Sequence, residues 1–232
     1  MNLLITCEHG GNQIPAKFKK VIFIDNNILN SHYGYDLGAL DLANFLYKNL
    51  KHNYSCYFLK NQITRLLIDF NRSLNHPCLF SRYSKNLPES YKLDLLNKYH
   101  LFRNSAKAYI ESKIKYKEQI LHLSIHSFTP IFKKKVRKTE IGILFDPSRE
   151  EEYHFAKIMK KKLIYKCHFN LPYRGISDGH TQSLRQLFPK YYIGIEIEVN
   201  QKFLNDKSYF PDTLKQHLLE AIMEYLWIQN KI

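Results

Sequence analysis

Apolar residues run almost unbroken from Leu3 to Cys7 and stop at Glu8-His9-Gly10-Gly11. This predicts a short buried strand that delivers polar side chains into a turn, with Pro15 keeping the following segment irregular. Between Asp36 and Leu50 the apolar positions Ala39, Ala43, Leu46 or Tyr47, and Leu50 recur at the spacing of an amphipathic helix. Cys56–Leu59 and Arg65–Phe70 each have the composition of a strand, and the stretch from Glu89 to Lys117 has that of a long helix. Ile120-Leu121-His122-Leu123-Ser124-Ile125-His126 then alternates strictly, which places His122, Ser124 and His126 on one face of a strand and Leu121, Leu123 and Ile125 on the other.

The second half repeats the pattern. Ile141–Phe145 reads as a strand closed by Asp146-Pro147, with a helix over Arg149–Ile164. Pro172–Gly179 is turn-rich and reads as a binding loop, Tyr192–Val199 as a strand, and Pro211–Gln229 as a C-terminal helix. Strands alternating with helices predict an α/β fold with a mixed, mostly parallel sheet and helices on both faces, as one domain over residues 1–232. Loops at the strand C-termini of such a sheet share a crevice.

Composition narrows the classes. A hydrophobic content of 44% suits one globular core, whereas a formal charge of +14 raises the question of nucleic acid. The lysines fall in separate short runs, Lys17/Lys19/Lys20, Lys133–Lys135 and Lys160–Lys162, and no nucleic-acid motif accompanies them, so we expect steering of small acidic substrates and no nucleic-acid partner. No segment approaches the roughly 20 apolar residues that cross a bilayer, and the N-terminus has no basic leader, which predicts a cytoplasmic protein without a membrane partner. The four cysteines are scattered and are expected to be reduced.

The chemistry-bearing residues cluster just after predicted strands: Glu8 and His9, Asn71 and Arg72, and His126. Two histidines and a carboxylate meeting there would make a catalytic zinc site with an open position for water, although His9 and His126 could equally be satisfied core histidines. Glu196 and Glu198 share one face of an otherwise apolar strand; one could act as a general base toward water, unless that face simply borders solvent. Arg72 beside Asn71 offers a planar fork for a substrate carboxylate, or a salt bridge to Asp69.

Cys7-Glu8-His9-Gly10-Gly11-Asn12-Gln13-Ile14-Pro15 resembles the opening H-x-G-x-x-I-P motif of the N-formylglutamate amidohydrolase family. Similar blocks follow in order: Asp36–Ala39, Asp69–Ser73, His76-Pro77, Ser124–Pro130, Pro172–Gly175 and Gly194–Asn200. That family is related in fold to the zinc carboxypeptidases, whose Ser-Ile-His-Ser ligand segment resembles Ser124–Ser127, whose Asn-Arg pair resembles Asn71-Arg72, and whose catalytic Glu resembles Glu198. The resemblance implies zinc held by His9, Asp36 and His126, with Glu198 or Glu196 as base. It also implies a substrate carboxylate held by Asn71 and Arg72, with Arg174 and Arg185 as helpers. Carboxypeptidases place an acidic ligand three residues after the first His, where this chain has Asn12; the implied replacement is Asp36, which could instead simply cap the helix it begins, with Glu8 its rival. The implied reaction is zinc-assisted hydrolysis of an N-formyl or short N-acyl acidic amino acid. The alternatives are a deacylase or carboxypeptidase-like hydrolase on another N-acyl amino acid, or a basic nucleic-acid binder on an inactive scaffold.

Overall fold

The computed structural model describes residues 1–229 and 231. The elements in chain order are β1 (Asn2–Cys7), α1 (Ala16–Lys19), α2 (Asn26–Leu29), α3 (Ala39–Leu50), β2 (Cys56–Lys60), α4 (Glu89–Ile114), β3 (Ile120–Phe128), β4 (Ile131–Phe132), β5 (Lys135–Val136), β6 (Ile141–Leu144), α5 (Glu150–Lys162), β7 (Cys167–Phe169), α6 (His180–Leu187), β8 (Tyr192–Asn200) and α7 (Asp212–Gln229). Six strands form one sheet in the order β2-β1-β3-β8-β6-β7, parallel throughout except where β6 runs against β8. This is the mixed, mostly parallel α/β sheet that the alternation of elements predicts.

Alternation within the strands separates the two layers. Leu3 and Ile5 of β1 and Leu121, Leu123 and Ile125 of β3 pack against α3, α5 and α7 in one cluster. On the other face Leu4, Ile120 and Tyr192 meet Ala106 and Ile110 of α4 and Leu184 of α6. β1, β3 and β8 are buried along their whole length, so the polar face of β3 is covered as well. A covered polar face must satisfy its groups internally, and that requirement shapes the site. In α4 the buried residues Leu95, Tyr99, Phe102, Ala106 and Ile110 form a single stripe, which explains how so polar a segment holds a long helix.

One predicted strand is absent. Arg65–Phe70 forms turns, not a ladder; its only pairing nearby is the single bridge between Gln13 and Ile63. Leu67, Ile68 and Phe70 are buried in a separate cluster with Phe18, Leu95, Tyr99 and Phe102. The apolar run therefore packs as a buried loop, pinned by the Asp69 amide on the Leu79 carbonyl at 2.9 Å and by the Thr64 hydroxyl on the Gly34 carbonyl at 2.8 Å. Among the described residues no helix is long and apolar enough to cross a membrane, and the four cysteines are free thiols.

Candidate active site

The parallel strands β1, β3 and β8 end on the same side of the sheet, and their polar residues converge there. The register sets Ser124 beside Glu196 and His126 beside Glu198. Glu198 therefore neighbours His126 across two central strands, which disposes of the reading that β8 is a solvated edge strand. Asp36 arrives from the loop before α3; its amide donates to the His9 carbonyl at 2.9 Å. The helix itself is capped at Gly38, whose φ of 79° is left-handed, so the Asp36 side chain is free to turn into the site.

His9, Asp36 and His126 offer ligand atoms all within 4.8 Å of one another, and all three residues are buried. The Asp36 Oδ2 atom lies 2.7 Å from His126 Nδ1 and 3.4 Å from His9 Nδ1. Its other oxygen pairs with Arg65. The far side of His9 is fixed by Asp69, whose Oδ1 is 2.6 Å from His9 Nε2. With Nε2 donating to that carboxylate, His9 Nδ1 carries a lone pair, and it is buried with no hydrogen-bond partner. Burial, followed by the positive field of Arg65, pushes the His9 pKa down to about 4. A neutral imidazole with its free nitrogen aimed at a carboxylate is the donor set of a divalent cation, and a carboxylate behind the far nitrogen is the usual support for such a ligand. The residues thus fit zinc on their own geometry. Glu8 is not part of this group; its carboxylate turns to Thr6, Ser124 and His180.

Burial works against the Asp69 anion, but hydrogen-bonded His9 together with Arg65 and Arg72 holds its pKa below the usual carboxylate range. Glu198 behaves oppositely. It is 5% exposed, its Oε2 has no hydrogen-bond partner, and burial, with the charge of Glu196 adding to it against the pull of His126, Arg65 and Arg137, pushes its pKa up to about 7. Glu196 accepts a hydrogen bond from the Thr181 hydroxyl and is thereby committed to α6.

His9, Asp36, His126, Glu196 and Glu198 line one cavity of about 370 Å³, together with Arg65, Asn71, Arg72, Tyr173, Arg174 and Asp178. The Arg72 side chain is 36% exposed, with Asp69 and Asp178 carboxylates at the long distances of 3.9 and 4.0 Å and one bond of 2.8 Å from Nη1 to the Asp178 carbonyl. Its fork retains donors for a ligand. Arg174 is exposed at the same cavity. Arg185 does not fit the helper role expected of it: the guanidinium is buried, with Nε on Glu152 at 2.9 Å and the terminal nitrogens on the Gly175 and Gly194 carbonyls at 2.6 Å. With those donors used up beneath the sheet, it braces α6 and β8 and lies outside the cavity.

Sequence reasoning passed over Arg65 and the partnership of Asp69 with His9. Asp69 stands in the Asp69–Ser73 block, where the sequence offers it only as a salt-bridge partner for Arg72. Arg65 carries no sequence signal, because its place depends on how the buried loop folds back onto Asp36. A second group, Glu8, His122 and His180, also lies within ligand reach. Hydrogen bonds already occupy most of it: Thr6 Oγ1 is 2.6 Å from Glu8 Oε1 and 2.7 Å from His122 Nε2, and His180 Nδ1 is 2.8 Å from the same Glu8 oxygen, which leaves His180 Nε2 as its one buried atom without a partner.

Comparison with known proteins gives consistent results. A family model described as N-formylglutamate amidohydrolase matches residues 1–204. A gene product of Agrobacterium tumefaciens is similar in structure with a TM-score of 0.82 at 23% identity, covering 99% of this chain and 92% of that one. The N-formylglutamate amidohydrolase of Ralstonia eutropha JMP134 is similar with a TM-score of 0.77 at 16% identity, covering 100% and 95%. No curated protein sequence matches the chain.

Proposed function

Since the chain belongs to the N-formylglutamate amidohydrolase family, we propose that it hydrolyses the amide of an N-formyl or short N-acyl acidic amino acid with zinc held by His9, Asp36 and His126. One observation carries the reading: two imidazole Nδ1 atoms face the same Asp36 oxygen, one of them buried without a partner, as is Glu198 Oε2. Zinc bound by those atoms would supply Lewis acidity to the amide carbonyl and lower the pKa of a water toward about 7. Glu198 takes a proton from the attacking water and passes it to the departing amine, giving a carboxylic acid and a free amino acid. Arg72 and Arg174 hold substrate carboxylate, and Asn71 is kept in place beside them by the His180 amide, which donates to its Oδ1 at 2.7 Å. Elemental analysis of the purified protein, with a screen of N-formyl and N-acetyl amino acids, tests the reading. Near-stoichiometric zinc and a preference for acidic formyl substrates are expected; a metal-free, inactive protein would refute it, and a preference for other acyl groups would move it to a deacylase.

Two further outcomes follow. Glu198 must be ionised to accept a proton, so kcat/KM should rise as pH increases through its pKa. That pKa is about 7 in the protein without metal, and a nearby divalent cation lowers it. The midpoint of the acid limb should therefore fall below about 7, and a midpoint clearly above 7 would count against Glu198. The Arg72→Lys variant should lose at least about 30-fold in kcat/KM on a free acid, the effect of roughly 2 kcal/mol or more from a mispaired buried carboxylate. On the corresponding α-amide the loss should be much smaller. Equal losses on both would make Arg72 a brace for Asp69 and Asp178.

A further inference from the structure

We propose that Glu8 and Ser124 act as positioning residues for His126, a buried carboxylate–hydroxyl relay that backs the Nε2–H of that imidazole and so presents its Nδ1 to the cation. The inference rests on the zinc reading above and extends it to residues that touch neither metal nor substrate.

The relay is built by strand register. Thr6 of β1 pairs with Ser124 of β3, so the next residues on the same face, Glu8 and His126, also come together beneath the cavity. Ser124 Oγ lies 2.8 Å from Glu8 Oε2 and 2.9 Å from His126 Nε2. A serine has one proton to give. Directed to the carboxylate, it leaves the hydroxyl oxygen as an acceptor toward the ring, so Nε2 keeps the proton once Nδ1, which lies 2.7 Å from Asp36 Oδ2, gives up its own to bind a cation. Glu8 is fully buried and keeps this direction because its other oxygen already accepts from the Thr6 hydroxyl at 2.6 Å and faces His180 Nδ1 at 2.8 Å.

Nothing else nearby takes over this task. Asn71 approaches His126 Nε2 at 3.5 Å, but its carbonyl oxygen is engaged by the His180 amide, so the amide presents only its NH2, which cannot accept a proton. The pattern mirrors that at His9, where Asp69 contacts Nε2 directly. Both imidazoles are thus backed by a carboxylate on the side away from Asp36, one directly and one through a hydroxyl, and such support fixes both the tautomer and the ring orientation of a metal ligand.

The test is zinc affinity, measured by chelator competition on the metal-free full-length protein, in wild type, Ser124→Ala, Ser124→Thr, Glu8→Gln and the Glu8→Gln/Ser124→Ala pair. Ser124→Ala should weaken zinc by roughly 10–100-fold, and Ser124→Thr, which restores the hydroxyl, should recover most of that. Because Glu8 acts on His126 through Ser124, the double variant should bind within about 2-fold of Ser124→Ala, whereas independent structural effects would multiply. Ser124→Ala binding zinc as tightly as wild type, or multiplicative losses in the double variant, would overturn the relay while leaving the zinc site intact. Wild type that binds no zinc would overturn the metal reading and the relay with it. Should Ser124→Ala fail to fold, zinc affinity of Glu8→Gln and Ser124→Thr decides: wild-type affinity in Glu8→Gln refutes the relay, and weakened affinity there with near-wild-type affinity in Ser124→Thr supports it.

Discussion

The His126→Ala protein is expected to lose both its zinc and its activity. Among the described residues His126 supplies one of the three atoms grouped where an ion could bind, and it lies 2.7 Å from the Asp36 oxygen that the other histidine also faces. Removing it leaves two ligands, too few for a catalytic zinc site, which keeps three protein ligands and one open position. Lewis-acid stabilisation worth several kcal/mol then disappears, so kcat/KM should fall by about a thousandfold or more. Metal content after gel filtration and kcat/KM on an N-formyl acidic amino acid check both parts. His122→Ala provides the contrast: His122 belongs to the hydrogen-bonded group with Glu8 and His180, and its loss should leave zinc near one per chain. Zinc retained by His126→Ala but lost from His122→Ala would move the ion to that second group.

The sheet could be read in the sequence because each central strand declares itself through packing. Leu3–Cys7, Ile120–His126 and Tyr192–Val199 are apolar enough, or alternate clearly enough, that burial between two helical layers is the natural outcome. That His9, His126 and Glu198 would meet at one end of the sheet was legible for the same reason, since they are polar residues at the ends of such strands. What escaped has physical causes. The inward face of α6 consists of His180, Thr181, Leu184 and Arg185, so its burial is driven by hydrogen bonds to Glu8, Glu196 and Glu152 and leaves no apolar stripe to detect. β4, β5 and β7 are two or three residues long, below the length at which alternation means anything. Arg65–Phe70 misled in the opposite sense, since its apolar residues are buried in a loop whose backbone is satisfied by Leu79 and by Thr64. Arg185 misled because a guanidinium read from sequence gives no sign of whether its donors will face a cavity or a buried Glu152.

The two carboxylates of β8 show how one strand face divides its labour. Glu196 and Glu198 are two residues apart and both buried, yet Thr181 holds the first and leaves the second with an oxygen that bonds to nothing. Isolation of a carboxylate in this way is costly and has no packing benefit, which supports the proposed role of Glu198 as the base.

Glu198→Gln should therefore do two things at once. Turnover should fall by roughly 10²–10⁴-fold, the loss typical of removing a general base, with zinc content unchanged because Glu198 is not among the grouped ligands. At the same time the metal-free protein should become more stable at alkaline pH. The Glu198 pKa rises from 4.5 to about 7 on folding, so between those values the folded state holds a proton that the unfolded chain has released. Stability consequently declines as pH climbs from 4.5 to 7, and above 7 the full cost of burying the anion, on the order of a few kcal/mol, is present. Gln has the same shape and no charge to bury, so Glu198→Gln should melt several degrees higher than wild type at pH 8 and nearly level with it at pH 4.5. Glu196→Gln, whose carboxylate accepts the Thr181 hydroxyl, should not show this pairing of slower turnover with higher alkaline stability. A Glu198→Gln protein with near-normal turnover would return the base to Glu196, and one that is slow but no more stable at pH 8 would mean that Glu198 is ionised at little cost in the fold, with its proton-accepting power set by something other than burial.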